Sequence, residues 1–398
     1  MARAPRIGFI LAFLLVLFSV GVVSTYLYVR PLVANFLQAA QHNQRKETLP
    51  EPRQLDVHPP PTEPHASLGQ SLGEALSKLD YATDLAAFKD FDATLQARLL
   101  HGDYASLEGF GAELVQTKSR FPGGSWKLQR FGETLAKCPT GEDSADTEWQ
   151  AHLDRLKAWS LAYPHSKIAS CVSGLSWTSF AWKARGTGYA NTVTKESWQL
   201  FKERLAAGRS VLEGAPQEGR SPIWYSAMQV VALGQGWERA AYDRLFDQAV
   251  TSEPRYQSFY LRKSYYLLPR WNGSEGESEA FAAKAADGLG GEAGDEVFAL
   301  VMMNLSNYQG LKEWRQSHVG DWPRIKRGFS AMGKEFGTSL RLENQCLRAA
   351  GYAGDLAFAR TSALAIRDRL DLETWNSKEG FIDFRDWALC QGRYAPKH

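Results

Sequence analysis

The side chains most often used in catalysis are present in this chain, but not at the spacings of a zinc site, a Ser-x-x-Lys acyl transferase or a phosphate-binding loop. The eight histidines are scattered, and no His-x-x-x-His or His-Glu-x-x-His pair occurs that would bind zinc. No Ser-x-x-Lys pair is present from which a periplasmic acyl transferase would be built. The glycine clusters at 186–188 and 288–291 lack the spacing of a phosphate-binding loop and are typical of helix ends. The sequence therefore predicts no catalytic residue, no metal site and no cofactor.

Two loops combine cations with aromatic rings, a chemistry suited to binding a carboxylate or a peptide. The candidate binding residues of the two loops are Trp182, Lys183, Arg185, Tyr189, Arg270, Trp271 and Glu275. The first loop follows a predicted helix, and the second combines turn formers with an acidic edge and a tryptophan. A structural alternative exists for both. In the first loop, Trp182 would pack in the core and Arg185 would bind carbonyl groups of its own helix. In the second, Pro269 and Trp271 would end one helix before the next begins.

The elements that carry these loops are predicted to be helices. Trp149, Leu153, Leu156 and Trp159 recur every three or four positions, which places them on one helical face. Further stretches that read as helical are 198–205, 222–233, 242–249, 256–268, 277–286, 295–305, 323–336 and 355–370. Alternation typical of strands is nearly absent, so the sequence predicts an all-α fold.

The short connections between these helices are typical of helical hairpins in series. The junction from Phe246 and Ala249 to Pro254, followed by Tyr260 and Ser264, resembles the boundary between two tetratricopeptide repeats. No unit keeps the full pattern over a constant period. We therefore expect an irregular tetratricopeptide-like solenoid of helical hairpins, in which each pair packs against its neighbours.

Four segments resemble a bacterial family known as domain of unknown function 4034. They are 181–190, 231–237, 265–276 and 322–329, and they occur in the family's order. The resemblance extends from about residue 80 to about residue 392. It implies a bacterial helical-repeat domain, and it assigns no activity to any residue.

The N-terminal residues predict contact with a membrane. Residues 7–29 contain no charged side chain, and a helix of that length covers roughly 34 Å, enough to cross a bilayer with some tilt. The alternative is a cleaved signal peptide, with small residues at 19–24 as the cleavage region. Arg3 and Arg6 precede the run and only Arg30 closely follows it, so the N-terminus is expected in the cytoplasm. Both alternatives place the body in the periplasm or at the cell exterior, and the anchor predicts a single-pass protein of the bacterial inner membrane.

Composition divides the chain into an anchor or signal peptide (1–30), a tether (31–70), N-terminal helical hairpins (71–140) and a helical-repeat body (141–398). Six prolines between residues 50 and 64 favour an extended tether with polyproline II character. The 46 Lys and Arg against 44 Asp and Glu give a net charge of +2, which offers no electrostatic case for nucleic acid.

The four cysteines lie far apart and lack any Cys-x-x-Cys spacing, which argues against structural zinc. In an exported protein a disulfide between Cys346 and Cys390 is the preferred pairing, because both residues lie in the last helical section. Buried free thiols are the equal alternative.

These observations together favour binding over catalysis. We expect a membrane-anchored helical-repeat protein that presents a protein- or peptide-binding surface outside the cytoplasm and makes or breaks no bonds. The alternatives are a cell-envelope enzyme or enzyme subunit without a recognisable short motif, and a sensor of glycans or small ligands. A long concave face with aromatic and arginine side chains would favour binding, and a closed pocket with convergent carboxylates or histidines would favour an enzyme.

Overall fold

Helices account for the regular structure throughout the part of the chain that the structure describes. The computed structural model describes residues 86–141, 143–186, 190–216, 220–308, 314, 317, 321–375 and 377–390. These residues contain fifteen α-helices and no β-strand. The predicted all-α fold class is therefore confirmed.

The helices follow one another through short connections. The first eight are α1 (Ala86–Leu100), α2 (Tyr104–Thr117), α3 (Lys127–Ala136), α4 (Asp146–Ala162), α5 (Ala169–Arg185), α6 (Lys195–Glu213), α7 (Pro222–Gly234) and α8 (Arg239–Ser252). The remaining seven are α9 (Gln257–Tyr266), α10 (Glu277–Leu289), α11 (Gly291–Leu305), α12 (Trp322–Phe336), α13 (Leu340–Ala353), α14 (Leu356–Ile366) and α15 (Lys378–Leu389). Two 3-10 turns, Ala190–Thr192 and Ser306–Tyr308, precede α6 and follow α11 respectively.

Local side chains explain where many of these helices begin and end. Thr194 accepts a hydrogen bond from the Ser197 amide at the start of α6, and Ser339 does the same for Leu342 at the start of α13. Gly186 ends α5 at a φ of 70°, a left-handed value that favours glycine. Gly186 and Gly290 therefore lie at helix ends, as their sequence context predicted.

Alternate helices form a continuous row. The helices α1, α3, α5, α7, α9 and α11 each contact the next member of this series as well as their neighbours in sequence. The most extensive contacts between consecutive helices join α5 with α6 and α11 with α12. This arrangement is consistent with a helical solenoid, because a row of alternate helices is what stacked hairpins produce.

Tryptophan supplies much of the core. All thirteen tryptophans are described, and none of them is exposed. Trp149, Leu153, Leu156 and Trp159 are all buried along α4, which confirms the helical face predicted from their spacing. Six tryptophans are only half-buried. Those six are the members of the set that remain available to a ligand.

The segment between α2 and α3 contacts residues far away in sequence. The indole of Trp126 donates to the carbonyl oxygen of Arg255 at 3.1 Å, and the Gly123 amide donates to the carbonyl oxygen of Gly337 at 2.8 Å. The Arg341 guanidinium lies 4.9 Å from the ring centroid of Phe88 in α1. Early and late helices therefore meet, in addition to the neighbour contacts of the row.

Arg255 is the centre of this meeting point. Its guanidinium contacts Glu296 of α11 at 2.9 Å and Glu335 of α12 at 2.7 Å. The hydrogen bond from Arg255 holds the pKa of Glu335 below its usual value, whereas burial raises the pKa of Glu296. Burial and the nearby Arg255 charge lower the pKa of Arg120 to about 10. Both carboxylates thus depend on Arg255 for compensation of their charge.

The predicted anchor and tether, residues 1–70, lie outside the described residues. Among the helices that are described, none has the length and apolar character needed to cross a membrane. The boundary predicted at residue 140 separates helices that contact each other, since α3 packs on α5.

Candidate functional site

A cavity of about 800 Å³ lies along the row of alternate helices. The helices α3, α5, α7, α9 and α11 all contribute residues to its wall. Apolar and aromatic members of the wall include Leu175, Trp182, Leu233, Leu261, Tyr265 and Tyr308. Its volume falls within the usual range for ligand-binding pockets.

Three half-buried tryptophans surround Arg185, and one of them, Trp182, lines the cavity. The Arg185 guanidinium carbon lies 5.5 Å from the ring centroid of Trp182 and 5.6 Å from those of Trp198 and Trp271. The rings of Trp182 and Trp271 meet edge to face at 5.8 Å. This tryptophan cluster, defined as Arg185 with Trp182, Trp198 and Trp271, brings the two predicted loops together.

A second group of rings joins the cluster through Trp271. Tyr265 packs against Trp271 at 5.7 Å and against Tyr308 at 5.6 Å. The exposed Arg270 stacks over both tyrosines, at 5.0 Å from Tyr265 and 4.5 Å from Tyr308. Burial, followed by the neighbouring Tyr265, raises the pKa of Tyr308. The arginines of both predicted loops therefore sit against aromatic faces.

Lys183 lines the cavity and is paired. Its Nζ lies 2.6 Å from a carboxylate oxygen of Asp146 at the start of α4, and Arg204 binds the other oxygen of that carboxylate. The Lys183 hydrogen bond is the largest cause of the lowered pKa of Asp146. The single carboxylate of Asp146 is thus shared by two cations, Lys183 and Arg204.

The structural alternative for the first loop is also realised in part. Arg185 donates to the carbonyl oxygen of Gly186 at 3.0 Å, so it does bind the carbonyl end of its own helix. The second loop likewise follows the end of α9 at Tyr266, before Pro269. Glu275 is exposed and does not line the cavity, and Tyr189 lies outside the described residues. The convergence of the loops places Trp182, Arg185 and Trp271 together without assigning them a role.

Sequence reasoning missed Arg262, which lines the cavity from α9. Its Nε donates to Ser258 Oγ at 3.2 Å, and no described residue pairs with its charge. Tyr265 lies three positions further along the same helix and lines the same cavity. This spacing of three was the available signal, because residues three apart share a helical face.

Carboxylates also line the cavity. Glu133 of α3 and Asp143, just before α4, line the cavity together with Lys137. Glu133 accepts a hydrogen bond from Gln129 at 3.0 Å, and neither carboxylate forms an ion pair with a described residue. The lining contains no histidine. In the described part of the chain, no group of three or more His, Cys, Asp or Glu residues is placed to hold a metal ion.

All four cysteines are free thiols in the structure. Cys346 is buried in α13, where burial raises its pKa, and Cys390 is half-buried just after α15. The preferred pairing of Cys346 with Cys390 is therefore not formed here, and the structure has the free-thiol alternative.

One serine motif lies outside the described residues. Residues 69–73 read Gly-Gln-Ser-Leu-Gly, which has the spacing of a nucleophile elbow. Such an elbow follows a buried strand, whereas this pentapeptide follows a proline-rich stretch. The spacing alone therefore does not identify a nucleophile.

Residues 142–207 match the family model described as Domain of unknown function (DUF4034). This DUF4034 segment contains α4, α5 and part of α6, and with them Trp182, Arg185 and Trp198. The resemblance is confirmed over this segment, while its extension to residues 80–392 stays a prediction. Neither a curated protein sequence nor a solved structure matches the chain.

Proposed function

We propose that this protein is a membrane-anchored helical-repeat protein that binds a peptide or a segment of another protein in its cavity, without bond chemistry. One observation carries the proposal. Two loops that combine cations with aromatic rings meet beside a cavity that Trp182 and Tyr265 line, although Arg185 and Arg270 are far apart in sequence. Folding has concentrated half-buried rings beside an open wall, and such residues supply most of the binding energy in many interfaces.

The chemistry of the wall suits a peptide. Tyr265, Tyr308 and Trp182 offer ring faces for apolar or aromatic side chains. Arginines held against rings keep donors for carbonyl and carboxylate oxygens. A row of alternate helices also gives an extended chain a continuous surface, which is how stacked helical hairpins bind their ligands.

The anchor and export are part of the same proposal. Residues 7–29 would span the bacterial inner membrane once, and residues 31–70 would hold the body away from it in the periplasm. The proline-rich stretch at 50–64 would span roughly 45 Å if it were fully extended as polyproline II. The tether would let the cavity reach ligands close to the membrane, and it would raise the effective concentration of the cavity there.

Peptide binding is tested by selection from an unbiased library. Full-length protein in mild detergent is panned against displayed random peptides, and the enriched peptides are measured by fluorescence anisotropy. We expect micromolar binding that Trp271→Ala weakens at least tenfold, because this ring joins both aromatic groups. The matched control is Trp322→Ala, because this half-buried tryptophan of α12 packs on Phe358 outside the cavity wall, whereas Trp271 packs on the wall residues Trp182 and Tyr265. Failure to enrich any peptide, or equal loss in both variants, would contradict the proposal.

Topology is tested separately. A reporter enzyme that is active only outside the cytoplasm is fused after His398. We expect activity from the full chain and none from a control that lacks residues 1–30. Reporter activity that does not depend on residues 1–30 would contradict the proposed anchor. It would not bear on peptide binding in the cavity.

A further inference from the structure

A polar patch forms part of the cavity wall where α7 packs on α9. Ser226 of α7 donates its hydroxyl to Ser258 Oγ of α9 at 3.0 Å, and Arg262 Nε donates to the same oxygen at 3.2 Å. About one turn further along α7, Gln229 Nε2 donates to the carbonyl oxygen of Phe259 at 3.2 Å. The polar patch is defined as Ser226, Gln229, Ser258 and Arg262. All of these except Ser226 line the cavity.

Gln229 has a buried acceptor that no described residue uses. The residue is only 1% exposed. The Phe259 carbonyl oxygen can only accept, so the amide nitrogen of Gln229 faces it and Oε1 faces away from it. That Oε1 has no hydrogen-bond partner in the part of the chain that the structure describes. A buried acceptor without a partner is costly, so a ligand that brings an N–H donor to it gains affinity.

Unpaired donors lie in the same part of the wall. Arg262 uses its Nε on Ser258, and its Nη groups have no partner among the described residues. Burial raises the pKa of Tyr242, whereas the nearby Arg262 charge and Gln229 amide lower it, so the Tyr242 hydroxyl lies close to both. This hydroxyl forms no hydrogen bond of normal geometry with a described residue. The wall therefore offers an unpaired acceptor next to unpaired donors.

The charge of Arg262 is offset by Glu133, although no ion pair joins the two residues. Both charges act on the buried Tyr256 hydroxyl. Burial raises the pKa of Tyr256, the Glu133 charge raises it further, and the Arg262 charge lowers it. A ligand carboxylate near this pair would be attracted by Arg262 and repelled by Glu133, and a ligand ammonium group would meet the reverse. A net charge on the ligand therefore gains little here, which favours a neutral polar group.

The depth of the polar patch determines which part of a peptide reaches it. Gln229 and Ser258 are 1% and 3% exposed, so little of either residue is open to solvent. An extended main chain carries side chains on both of its faces, which hold it away from such a recess, whereas one projecting side chain can enter it. The cavity of about 800 Å³ has room for a side chain of any size.

We propose that the polar patch binds the side-chain amide of a Gln or Asn residue in the bound peptide. The amide N–H of the ligand donates to Gln229 Oε1, and its carbonyl oxygen accepts from the Nη groups of Arg262. The patch thereby selects a neutral group with both a donor and an acceptor over the carboxylate of Glu or Asp. This inference rests on the proposed peptide-binding function and deepens it by naming a residue type that the ligand must contain.

Substitution within a selected peptide tests the inference. The probes are the peptides that full-length protein in mild detergent enriches from the displayed random library. Each Gln and Asn of the tightest-binding peptide is replaced in turn by Glu, Lys and Leu, and affinity is measured by fluorescence anisotropy. We expect one position at which every replacement weakens binding about tenfold. Enriched peptides that contain neither Gln nor Asn, or that accept Glu equally well at every such position, would overturn the inference.

Gln229→Met identifies the partner of the ligand amide. Methionine has a similar volume and lacks the amide oxygen. We expect this variant to weaken the parent peptide about tenfold and to bind the Leu-substituted peptide as the wild type does. A misfolded variant would lose both peptides. Equal weakening of both peptides in a variant with the wild-type circular dichroism spectrum would show that Gln229 does not bind the ligand amide.

Two charge substitutions provide a test that does not depend on Gln229→Met. Glu133→Gln is expected to tighten the Glu-substituted peptide about threefold, and Arg262→Gln is expected to tighten the Lys-substituted peptide by a similar factor. Misfolding does not produce a gain of affinity. Arg244→Gln is the control, since Arg244 is exposed on α8 and does not line the cavity. If neither substitution shifts the preference more than the control does, the two charges do not face the ligand residue and the inference is wrong.

The inference and the proposed function fail differently. If the library yields peptides whose binding depends on Trp271 but on no Gln or Asn residue, the selection of an amide is wrong and peptide binding stands. If the library yields no peptide, the proposed function falls and the inference falls with it.

Discussion

Arg255 shows how one residue joins distant parts of the chain. Its side chain binds Glu296 and Glu335, and its carbonyl oxygen accepts from Trp126. The Glu296 side chain is only 3% exposed, so its charge has little solvent to compensate it. Removal of one partner of a buried pair leaves such a charge uncompensated, which costs more than the pair contributed.

Arg255→Met is therefore expected to lower the free energy of unfolding by about 2 kcal/mol. The figure is at the lower end for a buried pair because Arg255 is itself a third exposed and Arg120 remains nearby. The loss should shrink as the pH falls towards the pKa of Glu296, because that carboxyl then becomes neutral. Urea unfolding at two pH values measures both effects.

Lys334→Ala is the control on the same helix. Lys334 and Glu292 form an ion pair in which the side chains are 75% and 61% exposed, and such pairs contribute under about 1 kcal/mol. If Arg255→Met and Lys334→Ala lowered the free energy of unfolding equally, the proposed role of Arg255 in compensating the buried Glu296 charge would be wrong.

His152 makes stability depend on pH. It is fully buried in α4, and burial, followed by the charge of Arg155, lowers its pKa to about 4. The unfolded chain takes up a proton at His152 as the pH falls below about 6.5, whereas the folded chain does so only near pH 4. Stability is therefore lost as the pH falls between these two values.

We expect His152 to account for about 3 kcal/mol of this loss at most. His152→Leu should flatten the dependence of unfolding free energy on pH between 6.5 and 4. His165→Gln should leave it unchanged, because His165 is exposed. Thermal or urea unfolding across the window measures the slope, and identical slopes in all three proteins would refute the assignment.

Helix α12 lies unusually close to α11, and a glycine permits this approach. A Cβ at Gly328 would lie 2.1 Å from the carbonyl oxygen of Asp295 and 2.8 Å from Ala299. Backbone cannot move aside as a flexible side chain does. The pairing of these helices therefore requires the absence of a side chain at this position.

Gly328→Ala is expected to lower the free energy of unfolding by about 2–3 kcal/mol through this overlap. Gly109→Ala in α2 is the matched substitution, since nothing lies within 4 Å of a Cβ there. It should stabilise the protein by up to about 1 kcal/mol, because alanine favours an exposed helix interior. Urea denaturation of both variants measures the two changes in unfolding free energy. A loss of stability at both positions would point to a cause other than the overlap of the new Cβ with Asp295.

The ends of the helices show which boundaries local sequence patterns predict and which they do not. Helix α7 ends within one residue of its predicted end, and Pro222 marks its start. Helix α14 ends at Ile366, four residues before its predicted end. The next residue, Arg367, has a φ of 54°, which is a left-handed conformation. Because this position is not a glycine, the sequence does not predict that conformation. Helix ends that are set by tertiary packing cannot be predicted from the helix propensities of the local residues.

At the scale of the whole molecule, contacts between early and late helices distinguish this array from one that packs through neighbours alone. Gly123 bonds to Gly337, and Trp126 bonds to Arg255. Such contacts should couple the stability of regions that a simple stack would leave independent.

Trp126→Ala is therefore expected to increase amide hydrogen exchange in α9 and at the end of α12 as well as around α3. Trp177→Ala is the control, because Trp177 packs locally against Phe180 and beside Gly208 of α6. Its effect should stay within α4 to α6. Exchange that rises only around residue 126 in the first variant would show that the distant contacts contribute little.

The sequence by itself determined the helical class, several helix ends and the two loops that combine cations with rings. These features depend on residues a few positions apart, through periodicity, capping and the special conformations of glycine and proline. The tertiary structure alone decided that Arg185 meets Trp271 and that Arg262 lines the same cavity without an ion partner. Those contacts depend on how distant helices stack, which is set by close approaches such as Gly328 on Asp295 and by shared partners such as Arg255. No local pattern encodes them, because their energies arise only when the helices are brought together.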